Sequence, residues 1–115
     1  MVEIRLEFPY DSRLSKNYKQ QCGKYGRGEM FKRLRDSFVL YVRAYAKELG
    51  GCKRIKLHLN VYRPDQRTDA QNYIEDFCDI VQDAIGVNDR YFETSSKPID
   101  GERPRFELIL KGYKR

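Results

Sequence analysis

Histidine and cysteine are scarce in this 115-residue chain, which limits the chemistry that it can support. The only histidine is His58, and the three cysteines, Cys22, Cys52 and Cys78, lie far apart. A zinc site of Cys and His is not expected, because such sites use closely spaced pairs of ligands. A histidine-activated nucleophile would depend on His58 alone, and we interpret His58 instead as a polar position on an alternating strand. Three widely spaced cysteines fit the reduced thiols of a cytoplasm better than a disulfide framework.

Long apolar runs are also missing. No run approaches the roughly 18 residues that a membrane-spanning helix needs. The first residues alternate charged and apolar side chains and lack the apolar stretch of a signal peptide. We therefore expect a cytoplasmic protein with no membrane partner. A chain that is 40% hydrophobic and 35% charged fits one globular domain over residues 1–115. Its core is modest at this size, and dimerisation would add buried surface.

Acidic residues are unevenly distributed in a chain whose formal net charge is +6 and whose pI is near 9.3. The segment from Thr68 to Asp89 contains six acids and no Lys or Arg. The remainder holds all 23 basic residues against 11 acids, a formal charge of +12. A basic excess suits a polyanionic partner such as nucleic acid. Combined with an acidic segment it is typical of a nuclease, because carboxylates bind the divalent metal beside the scissile phosphate.

Hydrophobic periodicity predicts an α+β (mixed α/β) fold, a small single domain in which a mixed sheet of about four strands packs with two helices. Apolar residues at helical spacing, each series followed by a glycine, predict helices over Glu29–Leu49 and Ala70–Ile85. Asp100-Gly101 is typical of a hairpin. The predicted strands are Val2–Phe8, a second through Ile55, Leu57, Leu59 and Val61, a third that starts at Arg90–Glu93, and a last through Phe106, Leu108 and Leu110.

The segment from Tyr10 to Gly28 is predicted to be a long loop, which its three glycines make mobile. Cations interleaved with aromatic side chains can contact phosphates and stack on unpaired bases. The alternative is a solvated loop with some tyrosines packed inward, but long loops in small domains are usually functional. The predicted DNA contacts are Arg13, Lys16, Asn17, Lys19, Lys24 and Arg27, with Arg67 in the turn after the second strand.

Carboxylates mark both ends of the second predicted helix. Asp69 lies between a strand and the helix, and Asp89 lies between the helix and the next strand. Two such carboxylates could share one or two magnesium ions, since their oxygens are hard ligands. Helical spacing places a further set of side chains on one stripe with Asp69, nearly opposite the apolar face. The alternative interpretation is an acidic, solvent-facing surface with Asp69 as the N-cap. The stripe consists of Asn72, Asp76, Asp79 and Asp83.

Two segments resemble the RusA family of Holliday junction resolvases. The first is Arg63-Pro-Asp-Gln-Arg-Thr-Asp-Ala-Gln-Asn72, and the second is Asp83-Ala-Ile-Gly-Val-Asn-Asp-Arg90. The opening Leu6-Glu-Phe-Pro9 and the later Ser15-Lys-Asn-Tyr18 are similar to the family's first strand and its Ser-x-Asn loop. The resemblance covers most of the chain, through short motifs in the family's order and spacing.

The resemblance implies a homodimer, often of phage or prophage origin, that binds four-way junctions and nicks two strands with magnesium, or manganese as a substitute, and no small-molecule cofactor. Asp69 and Asp89 match the family's first and last catalytic aspartates, and Asn72 matches its asparagine. Three positions depart from the pattern. Gln71 stands where the middle catalytic aspartate is expected, Glu75 where a lysine is, and Asn88 where the first of two paired aspartates is.

Two hypotheses follow from these departures. In the first, Asp79 or Asp76 supplies the missing carboxylate, so the catalytic residues are Asp69, Asp89 and Asp79, with Asp76 as a further metal ligand. Asn72 and Asp83 then support the site, and either Asp79 or Asp83 aligns with the family's helix aspartate. In the second, metal binding is too weak and the chain is a branched-DNA- or RNA-binding module that does not cut. The retained aspartates and the additional helix acids favour the first hypothesis.

Overall fold

Four strands form one mixed sheet in the order β1-β4-β2-β3. The computed structural model describes residues 1–114. β2 runs parallel to β3 and antiparallel to β4, which also pairs antiparallel with β1. The strands are β1 (Val2–Pro9), β2 (Arg54–Tyr62), β3 (Phe92–Ile99) and β4 (Arg105–Tyr113). The predicted α+β domain with a four-stranded mixed sheet is confirmed.

The helices cover one face of this sheet. The side chains of β2 that alternate toward the helices are fully buried, and they meet an aromatic cluster that joins the two layers. In that cluster the ring centroids of Phe8 and Phe38 are 4.5 Å apart, and those of Phe77 and Phe106 are 5.0 Å apart. The helices are α1 (Lys16–Cys22), α2 (Gly28–Arg43), α3 (Ala46–Leu49) and α4 (Ile74–Ile85). In the described part of the chain, no helix has the length and apolar character needed to cross a membrane.

Both predicted helices are present, with changed ends. The first stops at Arg43, and the chain bends at residues 44–45 before α3. This bend directs Leu49 into the core, where it is fully buried. The second begins as a 3₁₀ turn over Ala70–Tyr73 and becomes α-helical at Ile74. Helical spacing in the sequence predicts the buried face well but does not distinguish a continuous helix from one that bends.

The predicted loop from Tyr10 to Gly28 is wrong, because most of this segment is helical. The Ser15 side chain accepts a hydrogen bond from the backbone N–H of Asn17 at 3.1 Å, which is the N-cap contact that starts α1. Leu14, immediately before the cap, is fully buried and fixes the segment to the core. Gly23, at φ 57°, ends α1 in a conformation that favours glycine. The glycines therefore punctuate short helices.

The predicted Asp100-Gly101 hairpin is also wrong, because β3 and β4 are not neighbours. β2 lies between them, and Tyr62 at its end pairs with Ile99 on one side and Arg105 on the other. Residues 100–104 therefore cross the end of β2. An Asp-Gly pair supplies the left-handed residue of a turn, here Gly101 at φ 84°, but it does not select the strand partner. The partner is set by the crossover through α4, which makes β3 parallel to β2.

Candidate functional site

Asp69 begins the 3₁₀ turn that leads into α4. Its Oδ1 accepts a hydrogen bond from the backbone N–H of Gln71 at 3.0 Å, so the predicted cap is confirmed. The side chain is exposed, and its second oxygen makes no hydrogen bond within residues 1–114. Asp69 also lies near Arg63, where its charge helps Asp100 and Asp65 to raise the pKa of the guanidinium. Asp69 therefore offers one free carboxylate oxygen to solvent.

Asp89 lies at the other end of α4. Its backbone N–H donates to Gln82 Oε1 at 2.7 Å, and its side chain is exposed. The 3₁₀ turn and the whole of α4 separate it from Asp69, and a helix of 12 residues is about 18 Å long. One chain therefore does not bring these two carboxylates together. Across residues 1–114, no three His, Cys, Asp or Glu side chains form a group that could hold a metal ion.

Asp76 is buried whereas Asp83 is exposed, so the interpretation of the acidic stripe as solvent-facing is wrong for Asp76 and holds for Asp83. Only 5% of Asp76 is exposed, and its carboxylate forms a bidentate ion pair with the guanidinium of Arg27. Arg27 also donates to the backbone carbonyl of Arg13 at 2.8 Å and lies 3.7 Å from the ring centroid of Phe31. Asp76 is covered because α4 packs between the sheet on one side and α1 and α2 on another. Any DNA contact by Arg27, or metal contact by Asp76, would have to break this pair.

Two more acids of the stripe region pair with cations of the neighbouring helices. Lys19 Nζ lies 3.0 Å from Glu75 Oε1, and Arg35 pairs with Asp83. These contacts join α1 and α2 to α4. Asp83 and Glu75 therefore serve to dock helices in this structure, and Lys19, a predicted DNA contact, is already engaged.

Asp79 lies between these pairs and has no ion pair in the described residues. Partial burial raises its pKa, and the charges of Asp76 and Glu75 add to the rise while Lys19 and Arg35 oppose it. Burial likewise raises the pKa of Cys78 to about 11, with Asp89 and Asp79 contributing, so this thiol stays protonated at neutral pH. Asp79 and Asp89 therefore keep carboxylates that no cation pairs within residues 1–114, whereas Glu75, Asp76 and Asp83 are ion-paired.

Gln71 and Asn72, which the resemblance aligns with the family's middle aspartate and its asparagine, have structural contacts here. Gln71 Oε1 accepts a hydrogen bond from the hydroxyl of Ser96 at 3.0 Å, which ties the 3₁₀ turn to β3. Asn72 is half-buried, and its backbone N–H donates to the carbonyl of Asp69 at 3.1 Å. The Gln71 amide carries no negative charge, and its contact with Ser96 holds the turn in position.

A cleft of about 510 Å³ lies beside Asp69, between α1 and residues 64–68. Polar side chains dominate its lining, among them Ser15, Asn17 and Tyr18. The hydroxyls of Tyr10 and Tyr73 are hydrogen-bonded at 2.5 Å, and burial raises the pKa of Tyr73, so that hydroxyl stays protonated. Sequence reasoning did not identify this tyrosine pair. Its members are 63 positions apart, and no local pattern connects them.

The excess positive charge of the chain is concentrated in residues 13–35. This segment holds eight Lys and Arg and one acid, whereas the rest of the chain holds 15 Lys and Arg against 16 acids. Four of the eight are ion-paired, namely Arg13 with Asp11 and the three cations that contact α4. The cations of the segment that make no ion pair within residues 1–114 are Lys16, Lys24, Lys32 and Arg33.

These observations sort the predicted DNA contacts into two groups. Arg13, Lys19 and Arg27 are held by acids of the chain itself. Lys16, Asn17, Lys24 and Arg67 are exposed, and their side chains are available. A scan against models of known protein families and a search of curated protein sequences find no match to this chain. Because one fold hosts many functions, a function has to be argued from the site itself.

Proposed function

We propose that this chain is a magnesium-dependent, structure-selective endodeoxyribonuclease that nicks Holliday junctions or other branched DNA in recombination or repair. We place the protein in the cytoplasm of a bacterium, encoded by the bacterium itself, a phage or a prophage. The observation that carries the proposal is a strongly basic segment, residues 13–35, whose first helix lines a cleft beside the exposed carboxylate of Asp69. The basic segment attracts a polyanion such as DNA, and the carboxylate attracts a divalent cation.

The start of the basic segment supports DNA binding because the unpaired Lys16 adjoins the cleft, between the lining residues Ser15 and Asn17. Lys16 and Asn17 are at the start of α1, which lines the cleft, and Arg67 is on the opposite side in the turn before Asp69. Phosphates held by these side chains would pass along the opening. The hydroxyls and amide inside the cleft are groups that contact DNA phosphate and sugar without sequence preference. This arrangement favours recognition of the shape of DNA.

A single exposed carboxylate such as Asp69 suits magnesium, because proteins seldom surround this ion entirely with their own ligands. Magnesium usually keeps several waters and is held by one or two carboxylates together with substrate phosphate. Asp69 is exposed and has one oxygen free, so it can supply such a ligand beside a bound phosphate. Bound there, the metal would activate water and stabilise charge on the phosphate. A homodimer would present two such sites to the two strands of a symmetric junction.

The test is cleavage of an end-labelled four-way junction, compared with linear duplex of the same arm sequences, in magnesium, manganese or EDTA. We expect paired nicks near the branch point with wild type and none with Asp69→Asn. Asparagine caps a helix as well as aspartate does, so this variant should fold and bind the junction equally or more tightly. Asp79→Asn and Asp89→Asn, assayed in parallel, show which further carboxylate takes part. Metal-dependent cutting that persists in Asp69→Asn would contradict the proposal.

The alternative is a module that binds branched DNA or RNA and does not cut. Two observations favour it: Asp69 and Asp89 are separated by the length of α4, and Gln71 is engaged with Ser96. This function predicts junction binding with no nicks in either metal, and little effect of Asp69→Asn. The cleavage assay therefore separates the two functions directly.

A further inference from the structure

Tyr25 is the most exposed aromatic side chain among the large apolar residues at the surface, with 85% of its area in solvent. It ends the 3₁₀ turn Gly23–Tyr25, which projects between α1 and α2. Gly23 and Gly26, on either side, have φ values of 57° and 68°, and a Cβ at either position would meet nothing within 4 Å. A large ring is thus held outward on a tip surrounded by open space, where it contributes little to the core.

The surroundings of this ring are positively charged. Lys24 Nζ lies 5.4 Å from the Tyr25 ring centroid. Lys32 lines a small cleft that also includes Gly23 and Gly26, so it lies at the base of the tip. Neither lysine is ion-paired in the part of the chain that the structure describes. An exposed ring next to free cations is the combination by which proteins bind unpaired nucleotides, the ring stacking on a base and the cations holding phosphates.

We infer that Tyr25 stacks on an unpaired or unstacked base, and that this contact lets the protein prefer branched DNA to linear duplex. The inference rests on the proposed function for its substrate class and adds the residue that selects it. In a continuous duplex each base is covered by its neighbours, so the ring has no free base face to stack on. At a branch point bases lose a neighbour, and a ring on a projecting tip can reach them. Phosphate contacts by Lys24 and Lys32 are made to either substrate and give no preference.

Tyr91 provides a matched control. It is also a surface tyrosine, 45% exposed, but the Arg90 guanidinium lies over its ring at 4.8 Å and donates to its hydroxyl at 2.7 Å. It follows Asp89 in the chain, away from the basic segment. Replacing Tyr91 removes a ring of the same size without removing the proposed stacking contact.

The experiment measures the dissociation constants of a fluorescent four-way junction and a linear duplex in EDTA, so that no cutting occurs. We expect Tyr25→Ala to weaken junction binding about 5- to 150-fold, which is the range for loss of one base–aromatic stack, and duplex binding less than about 2-fold. Tyr25→Phe should bind as wild type does, because the ring is kept. Tyr91→Ala should leave both constants unchanged. Equal unfolding midpoints for all four proteins exclude misfolding as the cause.

A second readout detects the stack itself. With 2-aminopurine at the branch point, wild type and Tyr25→Phe should quench its fluorescence, and Tyr25→Ala should not. Equal weakening on junction and duplex, or no weakening on either, overturns the inference. If wild type shows a Tyr25-dependent junction preference but never cuts in metal, the stacking contact stands and the nuclease proposal fails. If wild type cuts and Tyr25→Ala keeps the junction preference, the nuclease proposal stands and the stacking inference fails. If wild type binds no DNA, both fail.

Discussion

Replacing Arg27 with methionine should destabilise the protein severely, because it leaves Asp76 buried and charged without its partner. The exposed fractions of the two side chains are 10% and 7%, so water cannot replace the lost contact. Removal of one member of a buried ion pair costs about 3–5 kcal/mol. That is a large share of the total stability of a small domain, which is about 5–15 kcal/mol. Methionine keeps the apolar contact with Phe31, so the loss should reflect mainly the charge.

The assay is urea unfolding of wild type, Arg27→Met, Asp76→Leu and the double variant. Replacing both partners removes the stranded charge, so the double variant should recover most of the loss and remain about 1–2 kcal/mol below wild type. The residual loss reflects the hydrogen bond that Arg27 makes to the Arg13 carbonyl. The matched control is Arg35→Met, which breaks the more exposed pair with Asp83 and should cost about 1 kcal/mol or less.

Two results would refute this reasoning about Arg27. One is a cost below about 1 kcal/mol for Arg27→Met, which would mean that the pair behaves as a surface contact. The other is a double variant no more stable than the singles, which would mean that the loss comes from packing and not from an unpaired charge. The first result would also return Arg27 to the set of side chains free to contact DNA.

Two further predictions concern residues of α4 and β4. Asp79→Asn should stabilise the protein at neutral pH, because a raised pKa in the folded state means that the ionised Asp79 carboxylate costs stability above the unfolded pKa of about 3.9. Urea unfolding against pH should show that the gain vanishes below that pH, and a gain that grows with acid would contradict the prediction. Gly112→Ala should lower the free energy of unfolding by about 1–3 kcal/mol, because the added Cβ would lie 2.5 Å from Cys52 Sγ and 3.0 Å from Leu49 Cδ2. The control is Gly51→Ala, whose Cβ would meet nothing within 4 Å and which should change the free energy of unfolding by less than about 0.5 kcal/mol. If the two alanine variants unfold alike, the close approach at Gly112 is not a constraint.

The correct and incorrect sequence predictions separate by the range of the interactions involved. Alternation predicted β1, β2 and β4, and it identified Ile55 and Leu57 as buried. The same pattern could not reveal that β2 lies between β3 and β4, because pairing of strands depends on where the α4 crossover leaves the chain. The segment from Tyr10 to Gly28 was predicted as a loop from its composition, although the cap at Ser15 was a local signal that a helix starts there.

The site divides in the same way. The sequence by itself determined the basic and acidic segments, the cap at Asp69, and the order of the four strands and the two longest helices, since each depends on composition or on the period of the backbone. Only the tertiary structure decided which charges remain free. Asp76 and Arg27 are 49 positions apart, and they meet because α1 and α2 pack on the side of α4 that its apolar pattern leaves polar. Helical spacing says that such a face exists, but the neighbouring helices determine whether water or an opposite charge covers it.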